Sequence, residues 1–375
     1  MILAFADLHL GNTGAYSKLG PDGFYTAESD AITALEYIYE QSKLPEIDCI
    51  IFTGDFFHTS HPSTRNIAVA INWLNKMDLL NKPFYLIPGN HDTTNYYNSL
   101  SYTHEITYKN IKFIDDKSEI KTYTWNNYTL NFIPHVQDLD SKAKDSSVKN
   151  SLSEVLLNLK DNSIVISHLV ESGATSGSEA YLLAKKVDTF DFSNSNKYKN
   201  TIFLLGHIHR PQLYTKSNGI QVVYPGSTTY QDASDLNQVK GYITISETGV
   251  IEFKTIPTIR KFMQYTIVPD KEPLEYLESI RLHKQSVIFL RMFIDYVPTP
   301  ELLSFLKDKD ITLGKIISKK EQLSTDTIVI DSKKSDPYDQ YTDFIQQLEI
   351  DTVLKQDYVN FGKELIDTFI SGGCK

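Results

Sequence analysis

The chain has 375 residues, of which 41% are hydrophobic and 12% aromatic, so it is long enough for two or three domains that each bury a sizeable core. Its formal net charge of −10 argues against a broadly basic surface for nucleic acid, although a protein that grips phosphates through divalent cations or a partner protein can be acidic overall. No apolar run approaches the roughly 20 residues of a membrane-spanning helix, and two cysteines, Cys49 and Cys374, exclude a disulfide framework and a zinc-thiolate site.

The first ninety residues alternate short apolar runs with helical patterns. Apolar strands are predicted at residues 2–5, 48–53 and 83–87. Between them, the spacing of apolar residues predicts helices that begin near Ser29 and Thr64. The order strand, helix, strand, helix, strand is typical of an α/β sheet, which binds its ligands beyond the carboxyl ends of its strands.

The segment after residue 110 has a different pattern, in which short apolar strands alternate with polar turns. Its predicted strands lie at residues 111–114, 121–124, 128–132, 163–167 and 201–205. We expect the first three to form a second, mostly antiparallel sheet, and a hairpin at 241–256 to close this half of the chain. A short helix is predicted near 152–159, before the fourth strand.

A domain boundary is predicted at Pro257 and the basic pair Arg260-Lys261. Beyond it, strand and helix patterns alternate in a small βαβαβ unit, and a polar linker of mixed charge follows at 321–337. The last segment, 338–375, contains two short helices with aromatic stripes that cannot be buried alone. Docking onto the protein's own core and binding to a partner both explain these stripes, and we favour a partner.

Residues that can bind metal ions follow five of the predicted strands. They are Asp7 and His9, Asp55 and His58, Asn90 with His91 and Asp92, His168, and the pair His207 and His209. Sites of α/β sheets form beyond the carboxyl ends of the strands, so these side chains are expected to converge. A single His-x-His pair is a weak signal, because such pairs more often lie on surfaces or in cores, but chance does not explain five clusters.

The donor types indicate two ions. Hard oxygen atoms mixed with imidazoles, without a thiolate, suit Mn²⁺, Fe or Zn²⁺ more than a pure Mg²⁺ or Ca²⁺ site. Even seven ligands from this set of ten residues are too many for one ion, and two ions about 3.5–4 Å apart can bind a phosphate together and activate a shared water. The other four histidines, His61, His104, His135 and His283, are interpreted as structural or surface residues, with His61 a weaker candidate for substrate contact.

The order and spacing of these motifs resemble the calcineurin-like metallophosphoesterase superfamily. The motifs are Asp7-x-His9, Gly54-Asp55, Gly89-Asn90-His91-Asp92, the lone His168 and Gly206-His207-x-His209. Their fuller forms, together with Tyr224-Pro-Gly-Ser227, resemble the SbcD-type nuclease subunits of the double-strand-break repair nuclease-ATPase complex, and most of all the phage-encoded members. After Ser227 the chain continues Thr-Thr-Tyr-Gln-Asp in place of the Arg/Glu-containing run of cellular members.

The resemblance implies an α/β fold of four layers at residues 1–258, a metallophosphoesterase β-sandwich flanked by helices. The βαβαβ unit at 259–320 would be a DNA-capping domain, and 321–337 a linker. The C-terminal helical segment, 338–375, would bind an SMC-like ATPase of the SbcC type. We also expect a homodimer, although the sequence does not identify its surface.

The resemblance also implies roles for the site residues. One ion would be held by Asp7, His9, Asp55 and His209, and a second by Asp55, Asn90, His168 and His207, with Asp55 bridging. His91 would protonate the leaving 3′ oxygen or stabilise charge on the phosphate, and Asp92 would orient it by accepting the other ring proton. His58 would be a further substrate-side histidine. A loop cap is the alternative interpretation of Asp92.

The predicted function is Mn²⁺-dependent hydrolysis of phosphodiester bonds at DNA ends, as exonuclease and endonuclease, in DNA recombination, repair or processing. Mg²⁺, Fe or Zn²⁺ are alternative metals. A stand-alone phosphoesterase for nucleotides, cyclic nucleotides or phosphoproteins is the alternative function, and a scaffold with a vestigial nuclease is a third. The cysteine usage, and first residues without a basic region, predict a cytoplasmic protein, in the host cytoplasm if phage-encoded, with no membrane partner.

Overall fold

The computed structural model describes residues 1–317 with gaps, and Val359. The gaps are residues 15, 95–97, 102–105, 116–119, 134, 136–158, 176–188, 191–199, 269–270, 285 and 293–295. The predicted linker, the predicted C-terminal helices and most of the helix predicted near 152–159 lie outside the described residues. Two compact units make up the chain, the first built mainly from residues 1–263. No helix among the described residues has the length and apolar character needed to cross a membrane.

The first unit contains helices α1 (Thr26–Ser42) and α2 (Thr64–Asp78). The strands up to residue 255 are, in chain order, β1 (Ile2–Phe5), β2 (Cys49–Thr53), β3 (Phe84–Ile87), β4 (Ile111–Phe113), β5 (Lys121–Trp125), β6 (Tyr128–Ile133), β7 (Ser163–His168), β8 (Val170–Glu171), β9 (Thr189–Phe190), β10 (Ile202–Gly206), β11 (Gln212–Thr215), β12 (Gln221–Tyr224), β13 (Gly241–Ile245) and β14 (Ile251–Thr255). They form two six-stranded sheets and the small pair β8-β9.

The first sheet has the strand order β14-β13-β1-β2-β3-β4. Strands β1 to β4 are parallel, while β13 is antiparallel to both β1 and β14, so the predicted hairpin is confirmed. Helices α1 and α2 cover one face of this sheet, where Trp73 packs against Phe5 and Phe84. The buried indole of Trp73 donates a hydrogen bond of 2.7 Å to the Leu35 carbonyl and so joins the two helices.

The second sheet has the order β11-β12-β10-β7-β6-β5. The prediction of a mostly antiparallel sheet is wrong, because β6, β7, β10 and β12 are parallel and the antiparallel strands are the two edges. Strand β4 also belongs to the first sheet, parallel to β3. Short strands between polar turns suggest hairpins, but β6 pairs with a strand about thirty residues away, a separation that allows the crossover that parallel pairing needs.

Apolar side chains of the two sheets meet in one buried cluster. Ile51 and Ile87 of the first sheet lie in this cluster with Phe132, Ile166 and Leu204 of the second. A separate cluster fills the space between the first sheet and its helices, and a third covers the outer face of the second sheet. The predicted α/β β-sandwich is therefore confirmed. The helical layer expected on the outer face of the second sheet lies outside the described residues.

The second unit is built on a three-stranded sheet of β15 (Phe262–Ile267), β16 (Val287–Met292) and β17 (Thr312–Ile317). Helices α3 (Pro273–Ser279) and α4 (Pro300–Asp308) follow β15 and β16, so the chain has the predicted βαβαβ order. Its apolar residues Leu277, Leu302 and Leu306 are buried. The capping of DNA by this unit stays a prediction.

Candidate metal centre

The predicted ligands lie at the carboxyl ends of five strands. Asp7, Asp55 and Asn90 follow the parallel strands β1, β2 and β3 of the first sheet. In the second sheet, His168 is the last residue of β7 and His207 follows the parallel strand β10. Parallel strands bring their carboxyl ends to the same edge of a sheet, where ligands of α/β proteins bind.

Four site residues have a backbone conformation that is unfavourable for residues with a side chain. The φ angles are 49° at Asp7, 51° at His9, 60° at Asp55 and 94° at His207. Each such left-handed conformation costs about 1–2 kcal/mol and persists only where the surroundings hold it. Here two loops hold each other, because the Asp7 amide donates to the Gly54 carbonyl at 3.0 Å and the His9 amide to the Asp55 carbonyl at 3.1 Å.

The first donor group consists of Asp7, His9 and His209. The Nε2 atoms of His9 and His209 are 3.0 Å apart. The backbone N–H of His207 donates to both carboxylate oxygens of Asp7, at 3.0 and 3.2 Å, and so fixes the orientation of that carboxylate. The structure thus brings together three of the four residues predicted to hold one ion.

The second donor group consists of Asp55, His168 and His207, with Asn90 beside them. Asn90 Oδ1 lies 3.0 Å from His168 Nε2 and 2.8 Å from His207 Nδ1. Asp55 lies between the two groups, since its Oδ2 is 3.3 Å from His168 Nε2 and 3.7 Å from His9 Nε2. This is the placement expected of a bridging carboxylate.

The chemistry of the second group fits a cation. His168 Nδ1 donates its proton to the Thr53 carbonyl, 2.8 Å away, which leaves Nε2 as an acceptor in the neutral ring. Asn90 Oδ1 is also an acceptor, so two lone pairs face each other across 3.0 Å. A proton or a metal ion between them removes this repulsion. Nitrogen and oxygen donors without sulfur suit Mn²⁺, Fe or Zn²⁺.

Burial and mutual contacts shift the pKa values of Asp55 and His168 in opposite directions. Burial opposes ionisation of Asp55, but the charge of His168 outweighs it and holds the pKa of Asp55 well below its usual value. Burial also disfavours the charged form of His168, yet Asp55 raises the pKa of His168 to about 9. A proton on His168 therefore occupies the position where a cation is needed, and metal binding releases it.

The other three imidazoles of the two donor groups have lowered pKa values, which favour the neutral form. Burial lowers the pKa of His9 and of His207 well below the usual value. Burial, with the nearby charge of Lys240, lowers the pKa of His209 to about 3. All three rings are neutral at pH 7, which is the form that binds metal ions.

Two glycines let the backbone approach the ring of His168. A Cβ atom at Gly206 would collide with the Thr53 carbonyl and lie 2.7 Å from His168 Nδ1. At Gly54, φ is 102° and a Cβ atom would collide with the same ring nitrogen. The motifs Gly54-Asp55 and Gly206-His207 thus need glycine for close packing around His168.

His91 lies beside both donor groups. Its nitrogen, with those of His9 and His58, forms a third group whose ligand atoms are within 4.8 Å of one another. The His91 amide donates to Asp55 Oδ1 at 2.8 Å, and the ring Nδ1 donates to the His58 carbonyl at 2.8 Å. His58 therefore orients His91 through its backbone, and the remaining nitrogen, Nε2, is left for proton exchange.

The orienting role predicted for Asp92 is wrong. Its buried carboxylate accepts hydrogen bonds from the backbone N–H groups of Phe56, Phe57 and Gly89, at 2.8 to 3.0 Å. The ring proton of His91 goes to His58 instead. Burial and the neighbouring Asp55 raise the pKa of Asp92 to about 6. Asp92 is a loop cap, as the alternative interpretation had it.

Two residues near the site were not predicted. His135 was interpreted as structural or surface, but it packs edge-on against His168, with ring centroids 5.8 Å apart. His135 follows the end of β6. Because β6 was expected to be antiparallel, its carboxyl end was not expected to lie beside that of β7, and His135 was not recognised as a neighbour of the site. Lys240 is buried and donates to the His209 carbonyl at 2.9 Å. Two other histidines, His61 and His283, are exposed, and His104 lies outside the described residues.

Comparison with known proteins agrees with this geometry. Residues 1–211, more than half of the chain, match the family described as "Calcineurin-like phosphoesterase". The chain belongs to the calcineurin-like phosphoesterase family. It is therefore a metal-dependent hydrolase of phosphoester bonds, as predicted.

The chain is also similar to individual members and to solved structures. It is 28% identical over 302 residues to the SbcD component of the nuclease SbcCD of Staphylococcus saprophyticus, across 76% of this chain and 73% of that protein. A dimetal phosphatase from Danio rerio is 11% identical over 64% of this chain and 90% of that one, with a TM-score of 0.40. The Pseudomonas putida nuclease MPE is 13% identical over 60% of this chain and 73% of that one, with a TM-score of 0.28. Because both TM-scores are below 0.5, nothing further follows from either structure.

Replacement of Asp92 by alanine should destabilise the protein. The variant leaves three buried N–H groups without their acceptor, and each such loss costs about 1–3 kcal/mol. We expect the free energy of unfolding, measured by urea denaturation in EDTA, to fall by about 3 kcal/mol or more. Asp92→Asn, which keeps one oxygen acceptor, should lose less. An unchanged unfolding midpoint in Asp92→Ala would contradict the capping role.

Proposed function

We propose that this protein is a DNA nuclease that hydrolyses phosphodiester bonds at DNA ends with two divalent ions, most favourably Mn²⁺. The observation that carries the proposal is the position of Asp55 between two donor groups, 3.3 Å from His168 and 3.7 Å from His9. DNA as the substrate is supported by the similarity to a curated nuclease component over 302 residues. Recombination, repair or DNA processing is the corresponding cellular role.

The seven ligands divide between two ions. We assign Asp7, His9, Asp55 and His209 to one, and Asp55, Asn90, His168 and His207 to the other. The chemistry that such a pair supplies is neutralisation of phosphate charge and activation of a water for attack. No side chain of the site acts as a nucleophile in this proposal, so hydrolysis proceeds without a covalent intermediate.

His91 is assigned to the leaving 3′ oxygen. Its Nδ1 proton is held by the His58 carbonyl at 2.8 Å, so a doubly protonated ring can give up only its Nε2 proton without breaking that bond. The neutral ring that remains keeps its orientation, since the bond to His58 is unchanged. His58 is assigned to the substrate side of the centre, where its own ring packs against His91 with centroids 5.6 Å apart.

The partners belong to the proposal as well. We infer that the enzyme works in the cytoplasm as a homodimer with an SMC-like ATPase of the SbcC type, bound by residues 338–375. A chain of net charge −10 gains little affinity for DNA from its overall charge. An ATPase partner that clamps DNA would supply that affinity.

Variants of the centre should separate metal binding from proton transfer. We expect Asp55→Ala to bind no Mn²⁺ pair and to lose cleavage, because Asp55 is shared between both donor groups. His91→Ala should bind two Mn²⁺ and cleave about 10²–10⁴-fold more slowly, the usual contribution of a general acid. Titration calorimetry and cleavage of end-labelled duplex DNA measure the two effects. Glu252→Ala is the control, since Glu252 is exposed on β14 and outside the three groups.

A second test compares substrates. Wild-type protein with Mn²⁺ should degrade linear duplex DNA and hydrolyse bis-nitrophenyl phosphate, a simple phosphodiester, and should leave a phosphopeptide intact. Hydrolysis of the phosphopeptide or of nucleotides, with intact DNA, would favour a stand-alone phosphoesterase. EDTA should abolish all activity, and Mn²⁺ in excess should restore it.

The partner assignment has its own truncation test. Removal of residues 338–375 should abolish binding of the SMC-like ATPase in a pull-down experiment. Manganese-dependent cleavage of bis-nitrophenyl phosphate should persist, because the described site residues all lie before residue 210. ATPase binding by the truncated protein would refute the assignment.

A further inference from the structure

A buried lysine lies directly behind the first donor group. Lys240 is 2% exposed, and its Nζ donates to the His209 carbonyl at 2.9 Å. The same ammonium group contacts Asp235 Oδ1 at 2.7 Å, Ser227 Oγ at 2.8 Å and Gln238 Oε1 at 3.1 Å. An ammonium group has three donors, so every one of them is used within this cluster.

The fold explains how Lys240 reaches the centre. Strand β13 begins at the next residue and runs antiparallel to β1, so its start lies beside the end of β1, from which Asp7 emerges. An isolated parallel bridge between Ala6 and Ser227 also places Ser227, which contacts the lysine, beside the end of β1. The cluster therefore touches the backbone of both ligand loops of the first donor group.

The segment between Tyr224 and Lys240 is shaped to support the His209 backbone. The His209 carbonyl accepts a second hydrogen bond from the Ser227 amide, at 3.0 Å. Gly226 has φ of 77°, and a Cβ atom there would lie 2.8 Å from the same carbonyl. With two donors on its oxygen and a glycine packed against it, the peptide group of His209 has one available orientation.

A requirement for stability alone does not explain the charged pair. Asp235 and Lys240 have fully buried side chains, 2.7 Å apart. Removing two charges from water is costly, and apolar residues of similar size are often as stabilising or more so. The charged pair adds directional hydrogen bonds, and one of them goes from Lys240 to the backbone carbonyl of the ligand residue His209.

We propose that Lys240, held by Asp235 and Ser227, is a positioning residue that sets the distance between the imidazoles of His209 and His9. The inference rests on the proposed two-ion function and deepens it. Loss of the lysine leaves the His209 carbonyl with only the Ser227 amide as donor. The peptide can then tilt, and the His209 ring can move away from His9, whose Nε2 atom lies 3.0 Å from that of His209. The first ion is then bound more weakly, while the second donor group keeps its geometry.

The test measures the two Mn²⁺ affinities separately. Wild type, Lys240→Met and the double variant Asp235→Asn/Lys240→Met are titrated with Mn²⁺, and free Mn²⁺ is followed by electron paramagnetic resonance. The double variant removes both buried charges, so it addresses the case in which an unpaired Asp235 unfolds the single variant. His209→Ala and His168→Ala show which affinity belongs to which donor group. Thermal unfolding in EDTA verifies that each variant is folded.

We expect the affinity assigned to the His209 group to fall by about 10–100-fold in both lysine variants, the usual effect of losing a group that orients a ligand. The affinity assigned to His168 should be unchanged. Lys254→Met, which removes a lysine of the exposed pair with Glu252, is the matched control and should bind both ions as wild type does.

Two results would overturn the inference and leave the two-ion function standing. Folded lysine variants that bind both ions with wild-type affinity would show that Lys240 serves the fold alone. An equal loss at both donor groups would show a general disturbance of the site. Wild-type protein that binds no Mn²⁺ would reject the two-ion function itself, and with it the role of Lys240.

Discussion

The carboxylate of Asp55 is the group on which the rest of the site depends. Asp55 is 1% exposed, and an ionised carboxylate at that depth must be matched by donors or by positive charge. His91 donates to one oxygen from its backbone, and His168 and His9 approach the other. Gly89 packs so closely that a Cβ atom there would collide with the carboxylate. The loops must therefore converge to stabilise the buried carboxylate of Asp55, and the same convergence brings the donor groups together.

The identity of the donor residues could be predicted from the sequence because the signal is local. Asp7 and Asp55 come two residues after apolar strands, and His168 is the last residue of one. The direction of the strands could not be predicted in the same way. The partner of β6 is about thirty residues away, and its own sequence contains nothing that distinguishes a parallel neighbour from a hairpin. The wrong direction expected for β6 also meant that His135, which follows this strand, was not placed near the site.

The residues that hold the metal ligands in place could also not be predicted from the sequence. Asp92 is adjacent to His91 in the chain, yet its carboxylate accepts from Gly89 of its own loop and from Phe56 and Phe57 of another loop. A lysine before a strand ordinarily lies on the surface, and only the packing of the segment around Ser227 makes Lys240 a buried one. Hydrogen-bond partners of this kind are decided by how loops meet, which local residue patterns do not encode.

The first and second donor groups each combine residues from both sheets. Asp55 and Asn90 follow strands of the first sheet, whereas His168 and His207 belong to the second, and Asp7 and His9 are opposite His209 in the same way. An ion in either group would add a crosslink between two sheets that already meet through apolar packing and through hydrogen bonds such as that from His168 to the Thr53 carbonyl. The unfolded chain has no such site, so the free energy of metal binding adds to the free energy of unfolding. Metal supply would then govern the lifetime of the folded protein as well as its catalysis.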